Sequence, residues 1–167
     1  MNIWKKISFN KIQKPEYNKK FGFNSTIWLK KIKRRISLNI SCLKSKKYYD
    51  YYISSSPIPW ILLNENKQNI NILDFGSGFQ EVFFQLINLK SKNKFTIDSV
   101  EKKNVCLQLK KINFFKKKRV KINFYDEVNF NKKYDYVHIS DSLQYIVEWK
   151  QFLNKIKKKK TKIYYTQ

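Results

Sequence analysis

At 167 residues, 42% hydrophobic and 17% aromatic, the chain is long and apolar enough for one domain with a real core, which excludes a disordered protein. The net charge of +24 is almost all lysine, with arginine only at Arg34, Arg35 and Arg119; specific readers of phosphate and bases favour arginine, and A/T-rich codons alone enrich Lys, Asn, Ile, Phe and Tyr, so the charge is weak evidence for a polyanion. No apolar run approaches the length of a transmembrane helix, Met1–Lys6 contains no signal core, and the separated Cys42 and Cys106 with the single His138 make neither a disulfide framework nor a metal site, which together read as a cytoplasmic protein.

Residues 1–64 read as a basic N-terminal helical extension. Residues 1–24 are lysine-rich, and Pro15 interrupts any helix there. Asn24 or Ser25 is placed to cap a helix running through Ile40, whose apolar stripe is Trp28, Leu29, Ile32 and Ile36, with Lys30, Lys31, Lys33, Arg34 and Arg35 elsewhere. Such a stripe serves either packing on its own domain, the favoured reading, or peripheral contact of residues 25–40 with an anionic membrane. The cluster Tyr48-Tyr49-Asp50-Tyr51-Tyr52 suits a partial core or stacking on bases or sugars. A loop at 54–59 follows, and Pro59 is placed to open a short helix over Trp60–Leu63.

Residues 65–167 read as a second unit of alternating strands and helices. The first strand is expected at 70–75, a helix at about 79–90, and further strands at 94–100, 120–124, 134–139 and 162–165. Helices between them carry Val105, Leu109 and Ile112, and then Ile146, Trp149, Leu153 and Ile156. The first helix shows one apolar face, Phe79, Val82, Phe83, Leu86 and Ile87. Lysines 157–160 suit the negative end of the last helix. This alternation predicts an α/β protein with a doubly wound, mostly parallel, Rossmann-like sheet of about five strands and an N-terminal helical extension.

Between the first strand and its helix lies Ile72-Leu73-Asp74-Phe75-Gly76-Ser77-Gly78, with two of the three glycines of the chain. As a dinucleotide fingerprint it is poor, because Glu81 falls where the third small residue belongs and would face a pyrophosphate. It resembles instead the first motif of class I methyltransferases that use S-adenosylmethionine. A sulfonium and an ammonium make an acid two residues before the first glycine physically sensible. Of only 12 acidic residues, Asp74, Glu101, Asp126, Glu127 and Asp141 fall at or just after predicted strand ends, where ligands of open α/β sheets bind. Helix capping explains the same placement, and for Asp126 and Asp141 both uses are compatible. Glu101 lies where a carboxylate can accept from two vicinal hydroxyls, with Asp98 as its rival.

Further stretches extend the resemblance: Phe83-Phe84-Gln85, Val100-Glu101, Phe124-Tyr125-Asp126-Glu127 and Ser140-Asp141-Ser142-Leu143-Gln144-Tyr145-Ile146. From about residue 50 onward the chain is similar to a family of class I methyltransferases found in bacterial surface-polysaccharide gene clusters. That resemblance implies S-adenosylmethionine as cofactor. Asp74, Gly76 and Gly78 would hold its methionine part, Glu101 the ribose and Asp126 the adenine, with Ser77 a further cofactor-binding residue of the same turn. Ser140 and Asp141 would line the site beyond the fourth strand. It also implies a seven-stranded sheet, of which five strands are present, so the chain reads as C-terminally truncated, with activity in doubt. Gln80 stands where the family has a glycine.

For chemistry, Asp141, His138 and Tyr145 are the weak candidates; alternation with Tyr136 makes His138 first a packed strand residue. No nucleophile–base pair is readable. The expected function is methylation of a sugar or other small hydroxyl acceptor in surface-polysaccharide synthesis. The alternatives are an RNA-directed methyltransferase, for which the charge and aromatics speak, and a non-catalytic remnant that binds cofactor.

Overall fold

A computed structural model describes residues 26–45, 58–63, 65–115, 118–140, 142–157 and 161–166. The cap residues Asn24 and Ser25, the Tyr48–Tyr52 cluster, the 54–57 part of the loop, Asp141 and lysines 158–160 lie outside them. The order of elements is α1 (Thr26–Lys44), α2 (Ile58–Leu63), β1 (Asn69–Phe75), α3 (Glu81–Asn88), β2 (Lys94–Val100), α4 (Lys103–Leu109), β3 (Val120–Tyr125), β4 (Tyr136–Ser140), α5 (Trp149–Lys157) and β5 (Lys162–Thr166).

The five strands form one sheet in the order β3-β2-β1-β4-β5, and every pairing is parallel. This is a doubly wound, Rossmann-like α/β fold. The chain steps outward from β1 to β3, returns to β4 on the other side of β1, and steps outward again. The reversal falls between β1 and β4, so the crevice beyond their carboxyl ends is where such a sheet accepts a ligand.

Strand alternation sends side chains to two cores. Ile70, Ile72, Phe95, Ile97, Val120, Phe124 and Tyr136 face one layer, where they meet α1 through Ile32 and Ile36, α2 through Ile58 and Leu62, α3 through Val82, Phe83 and Leu86, and α4 through Val105 and Leu109. Leu73, Val100, Val137 and Ile139 face the other, with Phe152 and Ile156 of α5. The apolar stripe of α1 is therefore spent on the same core as the sheet, while Lys30, Lys31, Lys33 and Arg34 are exposed. Burying each such Ile or Phe contributes about 1.5–3 kcal/mol.

Two expectations change. Helix α3 is buried all round rather than on one face: Val82, Phe83, Phe84, Gln85 and Leu86 are all covered. Its outward side meets the 3₁₀ turn Asn113–Phe115, with Phe84 stacked on Phe114 and Phe83 edge-on to Phe115. Strand four begins at Tyr136, not Tyr134, because Tyr134 turns its hydroxyl to a buried acid. That acid, Asp98, accepts from Lys132 at 2.6 Å, Asn123 at 2.9 Å and Tyr134 at 3.1 Å. The β3–β4 connection thus crosses the second face without a helix, pinned to the middle of β2.

At the amino ends of the strands, Lys67 pairs with Asp135 at 2.5 Å and Asp135 accepts from the Asn71 amide at 2.8 Å. Glu65 accepts from Lys162 at 2.7 Å and from the Tyr136 hydroxyl. The lysine and then the hydroxyl hold Glu65 below the usual carboxyl range, and burial with that carboxylate lifts the Tyr136 phenol to about 12. These contacts fix the closed edge of the sheet and leave the carboxyl edge for function.

Candidate functional site

Asp74 sits one residue before the end of β1, level with Ser99 of β2 and His138 of β4. All three are buried on the face that carries α1 and α3. His138 Nδ1 lies 2.7 Å from Asp74 Oδ1, so the histidine is a hydrogen-bonding neighbour of the acid and not a purely packed strand residue. Asp74 Oδ2 is buried and has no hydrogen-bond partner among the described residues. A buried acceptor left in that state costs about 1–3 kcal/mol, more for a charged group, and marks a place where a donor or cation is missing.

Past β1 the backbone turns through Gly76 at φ 72°, Gly78 at φ 41° and Gln80 at φ 62°. The first two are residues to which the left-handed region comes free. Gln80, where the resembled family has glycine, takes the same region with a side chain and stores about 1–2 kcal/mol of strain. It is fully buried; its Nε2 donates to Ser77 Oγ at 2.8 Å, and Ser77 Oγ is 2.9 Å from Ser99 Oγ. Its Oε1 is a second buried acceptor without a partner among the described residues.

Two more carboxylates flank the turn. Glu81 opens α3, where a negative charge suits the helix dipole. Burial pushes its pKa up and Asp74 adds to this, while His138 and Arg35 oppose it. Glu101, just beyond β2, accepts from the Gly78 amide at 2.5 Å and from the Lys102 amide at 3.3 Å. Burial raises it too, those two amides pull it down, and Asp74 pushes it up again. Glu81 and Glu101 thus each feel the Asp74 carboxylate around a glycine turn in a chain of charge +24. Chemically, the arrangement suits a cationic ligand with hydroxyls, approached closely by backbone.

Asp98, the rival of Glu101, is consumed on the opposite face by the β3–β4 connection. Asp126 and Glu127 follow β3 and line an open depression with Lys102, Lys103, Asn104 and Leu107. Ser140 ends β4; Asp141 lies outside the described residues. Ser142 Oγ donates to the Phe75 carbonyl at 3.1 Å, fastening the turn after β4 to the end of β1. Tyr145 closes the 3₁₀ turn Leu143–Tyr145 and is exposed, as are Val147 and Trp149 beyond it. Glu81 and α1 are site neighbours that the sequence does not announce: in sequence Glu81 speaks only against a pyrophosphate, and nothing in the stripe of α1 says which turn it lies near. The Trp28 and Phe79 rings lie 5.5 Å apart, tilted by 49°, and Arg35 lies 5.8 Å from the Phe79 ring.

No family model and no curated protein matches the chain. Among solved structures, it is similar to a "SAM dependent methyltransferase from Aquifex aeolicus", at 18% identity over 73% of this chain and 66% of that one, with a TM-score of 0.45. It is also similar to the plantazolicin methyltransferase BpumL "in complex with SAH", at 17% identity over 78% of this chain and 56% of that one, TM-score 0.44. The same enzyme with a monoazolic desmethylPZN analog and SAH aligns at 16% identity over 77% and 55%, TM-score 0.44. The chain therefore spans between half and two thirds of the length of these structures. At such scores, what it binds must be argued from its own residues.

Proposed function

We propose that the chain is the cofactor-binding part of an S-adenosylmethionine-dependent methyltransferase. The observation that carries this reading is the pair of buried acceptors without partners among the described residues, Asp74 Oδ2 and Gln80 Oε1, beside Glu81 and Glu101 at the glycine turn. A ligand with an ammonium and a sulfonium supplies the positive charge and N–H donors that these oxygens lack. The residues present therefore fit that group. When bound, it supplies a methyl on an electron-poor sulfur, and the reaction is an in-line displacement for which the protein chiefly aligns its reactants.

In this reading Asp74 holds the ammonium end, with His138 fixing the carboxylate through its other oxygen. Gly76, Ser77 and Gly78 let backbone approach the ligand. Glu101 takes the ribose hydroxyls and Asp126 the adenine amino group from the depression after β3, while the resemblance assigns Ser140 and Asp141 to the part of the site beyond the fourth strand. Asp141 and Tyr145 are the candidates for contact with an acceptor hydroxyl, on the resemblance of the 140–146 stretch. The resemblance over residues 50–167 supports a sugar or other small hydroxyl acceptor in surface-polysaccharide synthesis. An RNA acceptor is favoured by one observation, the exposed Lys30, Lys31, Lys33 and Arg34 of α1.

Titration calorimetry with S-adenosylhomocysteine tests the cofactor: binding is expected, and no heat with NAD. Asp74→Asn keeps an oxygen for His138 but loses the charge, and should weaken binding by about 1.5–3 kcal/mol, the scale of a hydrogen bond to a charged group. Binding of NAD with no response to S-adenosylhomocysteine overturns the proposal.

A further inference from the structure

Gln80 holds a position that glycine would fill without strain. Its backbone sits at φ 62° and its side chain is 0% exposed. Left-handed backbone is unfavourable for a residue with a Cβ, and such strain collects at functional sites. The amide is held in one orientation. Its Nε2 donates to Ser77 Oγ at 2.8 Å, and Ser77 Oγ lies 2.9 Å from Ser99 Oγ. With the nitrogen bound there, Oε1 is left as a buried acceptor without a partner among the described residues. For folding alone glycine is the better residue, because it removes the strain and the unpaired oxygen together.

The second orphan oxygen belongs to the same cluster. Ser99 is the register partner of Asp74 across β1 and β2, so the hydrogen bonds Gln80–Ser77–Ser99 run from the start of α3 to the level of Asp74. Asp74 Oδ1 is taken by His138 at 2.7 Å, and Oδ2 is buried without a partner among the described residues. One orphan is charged and the other neutral. A sulfonium offers charge but no N–H. A primary ammonium offers charge and three N–H donors. The geometry points to Gln80 as a ligand-reading residue: Asp74 Oδ2 and Gln80 Oε1 together accept from one primary ammonium, and Gln80 selects a ligand whose amine is free. The inference rests on the cofactor reading above and adds to it the residue that reads the amine. Asp74 attracts any cation, whereas a buried amide oxygen is satisfied by an N–H and by nothing else in such a ligand. A site built this way rejects the analogue that lacks the donor, because its own acceptor is then left unpaired.

Calorimetry with two ligands and two proteins isolates this contact. The ligands are S-adenosylhomocysteine and its des-amino analogue, which lacks the ammonium and keeps the rest. The proteins are the unaltered chain and Gln80→Gly, which suits the turn and loses the oxygen. Gln80→Gly should bind S-adenosylhomocysteine about tenfold more weakly, the scale of a hydrogen bond to a charged group. The two proteins should bind the des-amino analogue within about twofold of each other, as independent sites do. An equal loss for both ligands overturns the proposal and makes the side chain a support of the turn. Unchanged or tighter binding of S-adenosylhomocysteine by Gln80→Gly overturns it as well. If Gln80→Gly does not fold, Gln80→Met, of similar length without the oxygen, takes its place with the same two outcomes. No binding of S-adenosylhomocysteine by the unaltered chain defeats the cofactor reading, and this proposal with it.

Discussion

Gln80 shows how a single residue can carry two opposed terms. Its side chain links to Ser77 and so to Ser99, while its backbone is held at φ 62°. Replacement by Ala removes the hydrogen bond and keeps the strain; replacement by Gly removes both. Gln80→Gly should therefore be more stable than Gln80→Ala by about 1 kcal/mol in urea unfolding. Equal stability would show that the turn relaxes once the side chain is gone. Glu81 is the second case. Its folded pKa lies above the ordinary 4.5, so the folded chain binds more protons between those values. Stability falls as pH climbs through that window and stays lower above it. Glu81→Gln should match the unaltered chain near pH 4, be the more stable at neutral pH, and lose this advantage on acidification. An advantage that is the same at all pH values would place its cause in packing.

Among the elements, the helix-free β3–β4 connection depends on one acid. Asp98 is 2% exposed and gathers Asn123, Lys132 and Tyr134. Asp98→Ala leaves the buried Tyr134 hydroxyl and the Asn123 amide without their partner, while Lys132 can turn toward solvent. The expected loss is roughly 2–4 kcal/mol in urea unfolding. Because the connection lies on the face away from the glycine turn, ligand affinity of the folded fraction should stay near its original value. A stable variant with impaired binding would place Asp98 in the site after all. The carboxyl edge reads differently from the amino edge. The amino ends are closed by paired charges such as Glu65–Lys162 and Lys67–Asp135, whereas the carboxyl ends hold one acid oxygen, Asp74 Oδ2, and one amide oxygen, Gln80 Oε1, that lack donors among the described residues.

For the molecule as a whole, charge and sheet topology pull in opposite directions. Among the described residues β5 is an outer strand that pairs with β4 alone. Its sequence Lys162-Ile163-Tyr164-Tyr165-Thr166 is β-prone, and an uncovered strand edge recruits another chain. A net charge of +24 opposes that approach. Salt screens the repulsion over about 10 Å at 0.1 M while leaving backbone pairing intact. Sedimentation should therefore show a monomer at low ionic strength and larger species as salt is raised. Association that weakens with salt would show that charge pairing, not the strand edge, joins the chains.

Sequence by itself determined the ladder of elements. Alternating apolar runs and amphipathic segments set five strands and their helices, because period and burial are local properties of a chain. It also marked Asp74, Gly76 and Gly78, since a turn between strand and helix needs residues of particular backbone freedom. Tertiary structure alone decided what those residues face. The register between β1 and β4 places His138 against Asp74, two residues 64 positions apart. Packing of Ile32 and Ile36 into the core brings Trp28 close to the glycine turn, and the return of the chain after β3 takes Asp98 out of contention for a ligand. Such contacts depend on which strands become neighbours and how layers stack, and no local pattern of residues encodes that.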